Sequence, residues 1–248
     1  MSFEGKVAYV AGAGGMGLRI AQDLIQAGTH VALADMKPAL GDLPSGPGSH
    51  GYFQGDLTDE GFVQKTMAEW ERKHGRLDFL VNTTGVLLFG RDQSCLDMDL
   101  EVWERVMTTN LKSFVLTTRH AVPAMKRAGG GAIVHFSSID ALRGDDRPQD
   151  AYGCSKAAII RLSKSLAIQL ARERIRSNVV LPGPVHTPMQ ARWDKDPAAL
   201  DRLSDFVPMG RIGTVEDMAN ACLFLLSEKA AFITGTELIV DGGITARP

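Results

Sequence analysis

A tyrosine and a lysine stand four residues apart in Tyr152-Gly-Cys-Ser-Lys156, a spacing that puts both on one helix face, one above the other. A phenol titrates near ~10 and is a poor acid or base at neutral pH, but a fixed ammonium beside it favours the phenolate. A tyrosine tuned in this way exchanges a proton with an alcohol or carbonyl oxygen. Upstream, the apolar strand Ala132-Ile-Val-His-Phe136 runs into Ser137-Ser138, and the Ser138 hydroxyl is placed to hold the same oxygen. The Tyr-x-x-x-Lys pair alone is a weak sign. Its weight comes from the elements that must position it.

The first of these is a strand, Val7-Ala-Tyr-Val-Ala11, followed by Gly12-Ala-Gly-Gly-Met-Gly17 and a helical run from Leu18 to Gln26. A second strand, His30-Val-Ala-Leu-Ala34, ends on Asp35. A glycine turn between strand and helix lets the backbone approach a pyrophosphate. The helix N-terminus favours its charge, and an acid at the end of the next strand holds a ribose hydroxyl. The stretch reads as a dinucleotide site.

Beyond Asp35, Met36 to His50 carries Pro38, Pro44 and Pro47 with Gly41, Gly46 and Gly48, which is poor helix material and predicts mostly loop. A strand resumes near Tyr52 and meets Asp56. Thr58 is expected to cap a helix whose apolar face is Phe62, Val63, Met67 and Trp70 and which ends at Gly75. The buried strand Phe79-Leu-Val-Asn82 ends in Thr83-Thr84-Gly85, and cofactors in open α/β sheets bind at such strand ends. In the next helix Trp103, Val106, Asn110, Phe114 and Thr117 form one stripe. Asn110 is its misfit, because a polar amide facing a core needs partners. Ser177-Asn-Val-Val-Leu181 is a further strand, ending in Pro182-Gly-Pro-Val-His-Thr187. Thr214 caps a helix through Leu226, and Glu237-Leu-Ile-Val240 closes the sheet before Asp241-Gly-Gly243. Alternating strands and helices predict an α/β fold with a doubly wound parallel sheet of about seven strands, helices on both faces, and one domain over residues 1–248.

Composition narrows the function classes. With 248 residues and 44% hydrophobic content the chain can bury a large core. A net charge of −2 offers no basic field for nucleic acid. The three cysteines, Cys95, Cys154 and Cys222, show no metal-ligand spacing, and their odd number fits a reduced, cytoplasmic compartment. The start Met-Ser-Phe-Glu-Gly-Lys runs straight into a strand, so no signal peptide is expected. No apolar run approaches ~20 residues, so no membrane span is expected.

In this order the pieces resemble the short-chain dehydrogenase/reductase family over nearly the whole chain. The likeness lies in the glycine turn, Asn82-x-x-Gly85, Asn110, Ser138, Tyr152-x-x-x-Lys156, Pro182-Gly183, Thr187, Phe232-Ile-Thr-Gly235 and Val240-Asp-Gly-Gly243. The resemblance implies a Rossmann-type fold and four catalytic residues. Tyr152 would be the general acid/base, with Lys156 lowering its pKa and holding the nicotinamide ribose. Ser138 would orient the substrate oxygen, and Asn110 would support a water linking Lys156 to solvent. It also implies a cofactor set of Gly12, Gly14, Gly15, Met16, Gly17, Asp35, Asp56, Leu57, Asn82, Gly85, Pro182, Gly183, Val185 and Thr187, together with Tyr152 and Lys156. Asp35 would bind the adenosine ribose, Asp56 and Leu57 would flank the adenine, and Thr187 would contact the carboxamide. No metal is expected. The family pattern is altered in four places. The turn lacks the family's threonine and one residue, and the strand end is Asn82-Thr-Thr-Gly85. The helix between the second and third strands is missing. The Ser138–Tyr152 interval is one residue longer than the family's, which keeps Ser137 open as the alternative.

The expected activity is hydride transfer between NAD and a secondary alcohol or ketone of small-molecule size, with NAD favoured because Asp35 would repel a 2′-phosphate. Two other readings are a lyase or dehalogenase using Ser138 and Tyr152 without a nicotinamide, and a non-catalytic nucleotide-binding module. The intact glycine turn argues against the first, the retained catalytic groups against the second. The substrate would lie against residues 86–89, 139–143 and an excursion at 188–208 that acts as a lid. Arg143, His186 or Arg192 would be able to grip a carboxylate. A homotetramer is implied by the resemblance, pairing through 103–125 and 152–171.

Overall fold

The computed structural model describes residues 3–247 apart from 40–42, 44, 145 and 196, and within 191–199 the side chains of Trp193 and Ala198 only. Seven strands form one sheet: β1 (Val7–Ala11), β2 (His30–Asp35), β3 (His50–Gln54), β4 (Phe79–Asn82), β5 (Gly131–Phe136), β6 (Ile175–Pro182) and β7 (Glu237–Val240). All neighbours are parallel, in the order β3-β2-β1-β4-β5-β6-β7. Seven α-helices accompany it: α1 (Gly15–Gln26), α2 (Glu60–His74), α3 (Leu100–Met107), α4 (Ser113–Arg127), α5 (Asp150–Leu170), α6 (Pro197–Phe206) and α7 (Val215–Leu226).

The helices divide between the two faces because strand side chains alternate. Ala8, Val10, Val31, Leu33, Val81 and Val134 pack against Ile20, Leu24 and Ile25 of α1 and Met218, Cys222 and Leu225 of α7. Val7, Tyr9, Ala32, Leu80 and Ile133 face the other way, onto Val63, Met67 and Trp70 of α2 and Leu116 and Ala124 of α4. Beneath β6, Val179 and Leu181 meet Ile159 and Ile160 of α5. Strand order reverses between β1 and β4, and the carboxyl ends there open the crevice where ligands of such sheets bind.

Three local departures bear on the site. The described residues between β2 and β3 contain no helix, as the prolines and glycines predict; part of that stretch, Gly41 and Pro44 included, lies outside the described residues. Helix α2 is capped by Asp59, not Thr58: the Asp59 carboxylate accepts from the Gly61 and Phe62 N–H groups, while Thr58 donates to Asp56 from its own N–H and hydroxyl, each at 2.8 Å. An aspartate fills the cap as well as a threonine does, and Asp56 had claimed the threonine. The stripe from Trp103 to Thr117 is not one helix. A π-helical turn, Thr108–Lys112, separates α3 from α4 and carries the fully buried Asn110; such turns are frequent at functional sites.

Candidate active site

The base of the cleft over β1, β2 and β4 is the glycine turn. Gly12 turns at φ +101°, and a Cβ there would lie 2.7 Å from the Thr83 hydroxyl oxygen. A Cβ on Gly17 would collide with the Gly12 carbonyl, so the turn closes only with glycine at both places. The Thr83 hydroxyl approaches the Ala11 and Gly12 carbonyls at 3.1 and 2.9 Å, stitching the end of β4 to the turn. Asp35 accepts from the Ala13 N–H at 2.7 Å and from the Lys37 N–H at 2.9 Å. The resulting cavity of about 860 Å³ is lined by Gly12, Gly14–Gly17, Asp35, Asp56, Leu57, Gly85 and Thr187. Its wall also holds the Thr84 hydroxyl, which is buried and has no hydrogen-bond partner among the described residues. A cradle without room for a Cβ, an acid at its rim and an unpaired polar atom in its wall fit a dinucleotide.

A second cavity, about 510 Å³, adjoins the first; Met16, Thr83, Gly85, Leu87, Thr187 and Met189 line both. Ser138, Tyr152 and Lys156 meet in its wall, with Pro182, Gly183 and Val185. Lys156 is buried, donates to the Phe136 carbonyl at 3.1 Å, and holds its Nζ 5.5 Å from the centre of the Tyr152 ring. Burial lowers its pKa to about 8. The Tyr152 phenol is pushed up, first by burial and then by the Asp140 carboxylate, with the Ser138 hydroxyl opposing the rise. Within the chain itself, then, the phenol does not show the depression expected from Lys156. The two serines separate by their bonds. Ser137 gives its hydroxyl to the Lys156 carbonyl at 2.7 Å and is spent on positioning. Ser138 faces Asp140 and the cavity.

Asn82 and Asn110 do not line either cavity. The Asn82 amide lies 3.1 Å from His135 Nδ1, and its carbonyl accepts from Thr117 at 2.8 Å, locking β4 to β5 and α4. Asn110 grips Val86 at both ends, accepting its N–H at 2.7 Å and donating to its carbonyl at 3.0 Å. It also donates to Ser155, whose hydroxyl binds the Tyr152 carbonyl at 2.7 Å. Both polar atoms of the Asn110 side chain are thus engaged in fixing the loop after β4 to α5. His186 also lies apart from the second cavity, in a groove beside Arg19 and Gln22. The Arg192 side chain is outside the described residues.

Two acids went unremarked in the sequence. Asp92, 3% exposed, accepts from the Ala151 N–H at 3.1 Å and the Tyr152 N–H at 2.9 Å. Gln149 at the N-cap makes no side-chain cap bond, so the cap of α5 comes from a loop 60 residues upstream of Tyr152. Its only local signal is an acid in a polar loop, which is unremarkable. Asp140 sits within the stretch 139–143 expected to face substrate, yet only its fold-back onto Ser138 brings it to the reacting groups.

A family model described as enoyl-(acyl carrier protein) reductase matches residues 10–245. A probable short-chain type dehydrogenase/reductase of Bradyrhizobium diazoefficiens is 38% identical, the match spanning 98% of this chain and 89% of that protein. The chain belongs to the short-chain dehydrogenase/reductase family. It is therefore an oxidoreductase by family. A crystal structure of a putative short-chain dehydrogenase/reductase from Burkholderia xenovorans matches with a TM-score of 0.92 at 34% identity over 99% of this chain and 98% of that one. A further relative, 37% identical over 92% of this chain and all of its own length, is named an inactive 2-(S)-hydroxypropyl-CoM dehydrogenase of Xanthobacter autotrophicus. As a short-chain dehydrogenase/reductase, this chain shows two altered motifs that answer each other. Position 11 has lost the hydroxyl of the family turn, and Thr83 supplies one to that turn from the facing strand end. No helix among the described residues is long and apolar enough to cross a membrane.

Proposed function

We propose that the protein is an NAD-dependent dehydrogenase/reductase that interconverts a secondary alcohol and its ketone, with Tyr152 as the group that gives and takes the oxygen's proton. The observation that carries this reading is the meeting of Ser138, Tyr152 and Lys156 in one cavity that opens onto the glycine cleft. The nicotinamide supplies the hydride chemistry when bound. The chain's residues do the rest. Ser138 donates to the reacting oxygen, Tyr152 exchanges its proton, and Lys156 holds the ribose while its ammonium stabilises a phenolate. Asn110 and Asp92 keep Tyr152 in place from either side. Asp35 favours NAD over NADP, because its carboxylate, fixed by the Ala13 and Lys37 amides, stands where a 2′-phosphate would bring a second negative charge. Residues 188–208 form a lid over the substrate, and the protein works in the cytoplasm as a homotetramer.

Following NADH absorbance across a panel of secondary alcohols tests the reading. Turnover with NAD, lost in Tyr152→Phe, is the expected result. Absence of hydride transfer with every alcohol and ketone, using either nicotinamide, would refute it.

A further inference from the structure

Asp140 is the middle residue of the 3-10 turn Ile139–Ala141 that follows Ser138, and it folds back on that serine. Its N–H donates to the Ser138 hydroxyl oxygen at 3.1 Å, and that hydroxyl donates to its carboxylate at 3.2 Å. The carboxylate is therefore one hydrogen bond removed from the group that touches the reacting oxygen, and it lines the same cavity as Tyr152. Much of the wall around it is apolar: Leu87, Ile139, Val185, Met189 and Phe206. An acid in such a place works against the chemistry, because its charge helps to push the Tyr152 phenol up. An apolar substrate filling the cavity would also strip water from the carboxylate without replacing its hydrogen bonds. A charge that hinders proton transfer and penalises apolar ligands is accounted for if it recognises part of the substrate.

The part it recognises follows from charge and spacing. Arg143 donates to the other carboxylate oxygen at 3.3 Å, so the acid is already ion-paired. An ion-paired carboxylate suits an uncharged donor better than a second cation, and an anion on the carbon next to the reacting one would meet it head-on, whereas Arg147 and Arg202 elsewhere in the same cavity suit acidic groups farther along the substrate. The Ser138 hydroxyl and the carboxylate lie a hydrogen bond apart, about the separation of two oxygens on adjacent carbons. We propose that the substrate carries a second hydroxyl on the carbon next to the reacting one, and that Asp140 accepts its hydrogen bond in place of the one Ser138 withdraws when its single hydroxyl hydrogen turns to the reacting oxygen. The substrate class is a vicinal diol or a polyhydroxylated compound. The inference rests on the reading of Ser138 and Tyr152 as the groups that hold the reacting oxygen, and adds Asp140 as the residue that decides specificity.

The test pairs each diol with its mono-alcohol: 2,3-butanediol against 2-butanol, and cis-1,2-cyclohexanediol against cyclohexanol. Wild-type kcat/KM should favour the diol by ~10² or more, because a site built to bond a hydroxyl rejects the analogue lacking it. In Asp140→Ala that ratio should fall toward one. Asp140→Asn, which keeps the shape and one acceptor, gives an intermediate ratio and covers the case in which the alanine variant fails to fold. Calorimetric titration of the NADH-loaded enzyme with the same diols reads binding without turnover. Oxidation of mono-alcohols as fast as diols, or a diol preference that survives both substitutions, overturns the proposal and leaves the dehydrogenase reading standing. Asp140-dependent diol binding without any oxidation does the reverse.

Discussion

The two adjoining cavities are built from different materials. On the dinucleotide side the turn at the base is backbone and short side chains, with glycine at Gly12 and Gly17, amides that hold Asp35, and one threonine stitch, while Met16, Leu57 and Phe89 close the cavity around it. On the substrate side they are long side chains from segments far apart in sequence, among them Asp140, Arg143, Trp193 and Phe206. The first side recognises a ligand by excluding side chains, the second by choosing them. A ligand shared by a family demands the first construction, whereas a ligand particular to one member permits the second.

The sharpest break of this contrast is at the hydroxyl where the two sides meet. Tyr152→Phe removes one oxygen, leaves the cleft untouched, and should lower kcat by ~10²–10⁴, the usual share of acid–base catalysis. NADH binding, read by fluorescence, should be nearly unchanged. A variant that retained more than about a tenth of the wild-type rate would sit outside that range and deny Tyr152 its role.

A smaller effect is expected when the dinucleotide side is asked to change its choice. Asp35→Ser combined with Met36→Arg removes the carboxylate and adds a cation at an exposed position. Two unit charges ~4 Å apart repel by about 4 kcal/mol at an effective dielectric of ~20, and solvent reduces that, so the NADP/NAD ratio of kcat/KM should rise by ~10². Part of the gain is offset within the chain, because Asp35 also holds the Ala13 amide of the glycine turn. A wild-type enzyme equally efficient with both cofactors would remove the basis for the prediction.

These two sides differed in legibility for the same reason that they differ in construction. The glycine turn, Asp35 and the strands around them could be read residue by residue, because strand–turn–helix units are local and alternate with a fixed period. The sheet of seven strands followed from repeating that pattern. What could not be read depended on one segment reaching another. Thr58 looked like a cap until Asp56 took its hydroxyl. The helix through Asn110 looked continuous because its side-chain stripe is, while the π-helical turn answers to Val86 across the cleft. Asp92 caps a helix that begins 58 residues later, and no sequence window contains both. That the Ser137 hydroxyl is held by the Lys156 carbonyl was equally out of reach of the sequence.

Asp92 offers a test of whether catalytic placement resides in such remote contacts. Asp92→Ala leaves two N–H groups at the start of α5 without their acceptor, and losing a cap of this kind costs about 1 kcal/mol. Melting temperature should drop by a few degrees, as such a loss does in a domain of this size, and kcat should fall about tenfold as Tyr152 loosens. Asp92→Asn keeps one acceptor oxygen and should restore part of kcat at similar KM. Equal loss in both variants, or a change in stability alone, would reduce Asp92 to a structural cap.

The smallest expected effect concerns the pH at which the two sides work together. Alcohol oxidation needs a group to accept the proton, so kcat/KM should rise with pH as Tyr152 loses its own and level off beyond. Asp140 stands beside that phenol and, after burial, raises its pKa, while the Lys156 ammonium 5.5 Å from the Tyr152 ring centre is itself lowered to about 8 by burial. The profile therefore reports the coupled groups and not either one alone. Asp140→Asn removes a negative charge and retains the side-chain shape. A phenolate is then less opposed, the phenol titrates earlier, and the rising limb should move to lower pH. The movement should be modest, because Arg143 already neutralises part of that charge in the wild-type enzyme, and it should appear with mono-alcohols as well as diols, since it acts on Tyr152 and not on the second hydroxyl. A limb that stays in place, or moves to higher pH, would mean that Asp140 does not govern the phenol, and the substrate-side acid would then be left with recognition as its sole role.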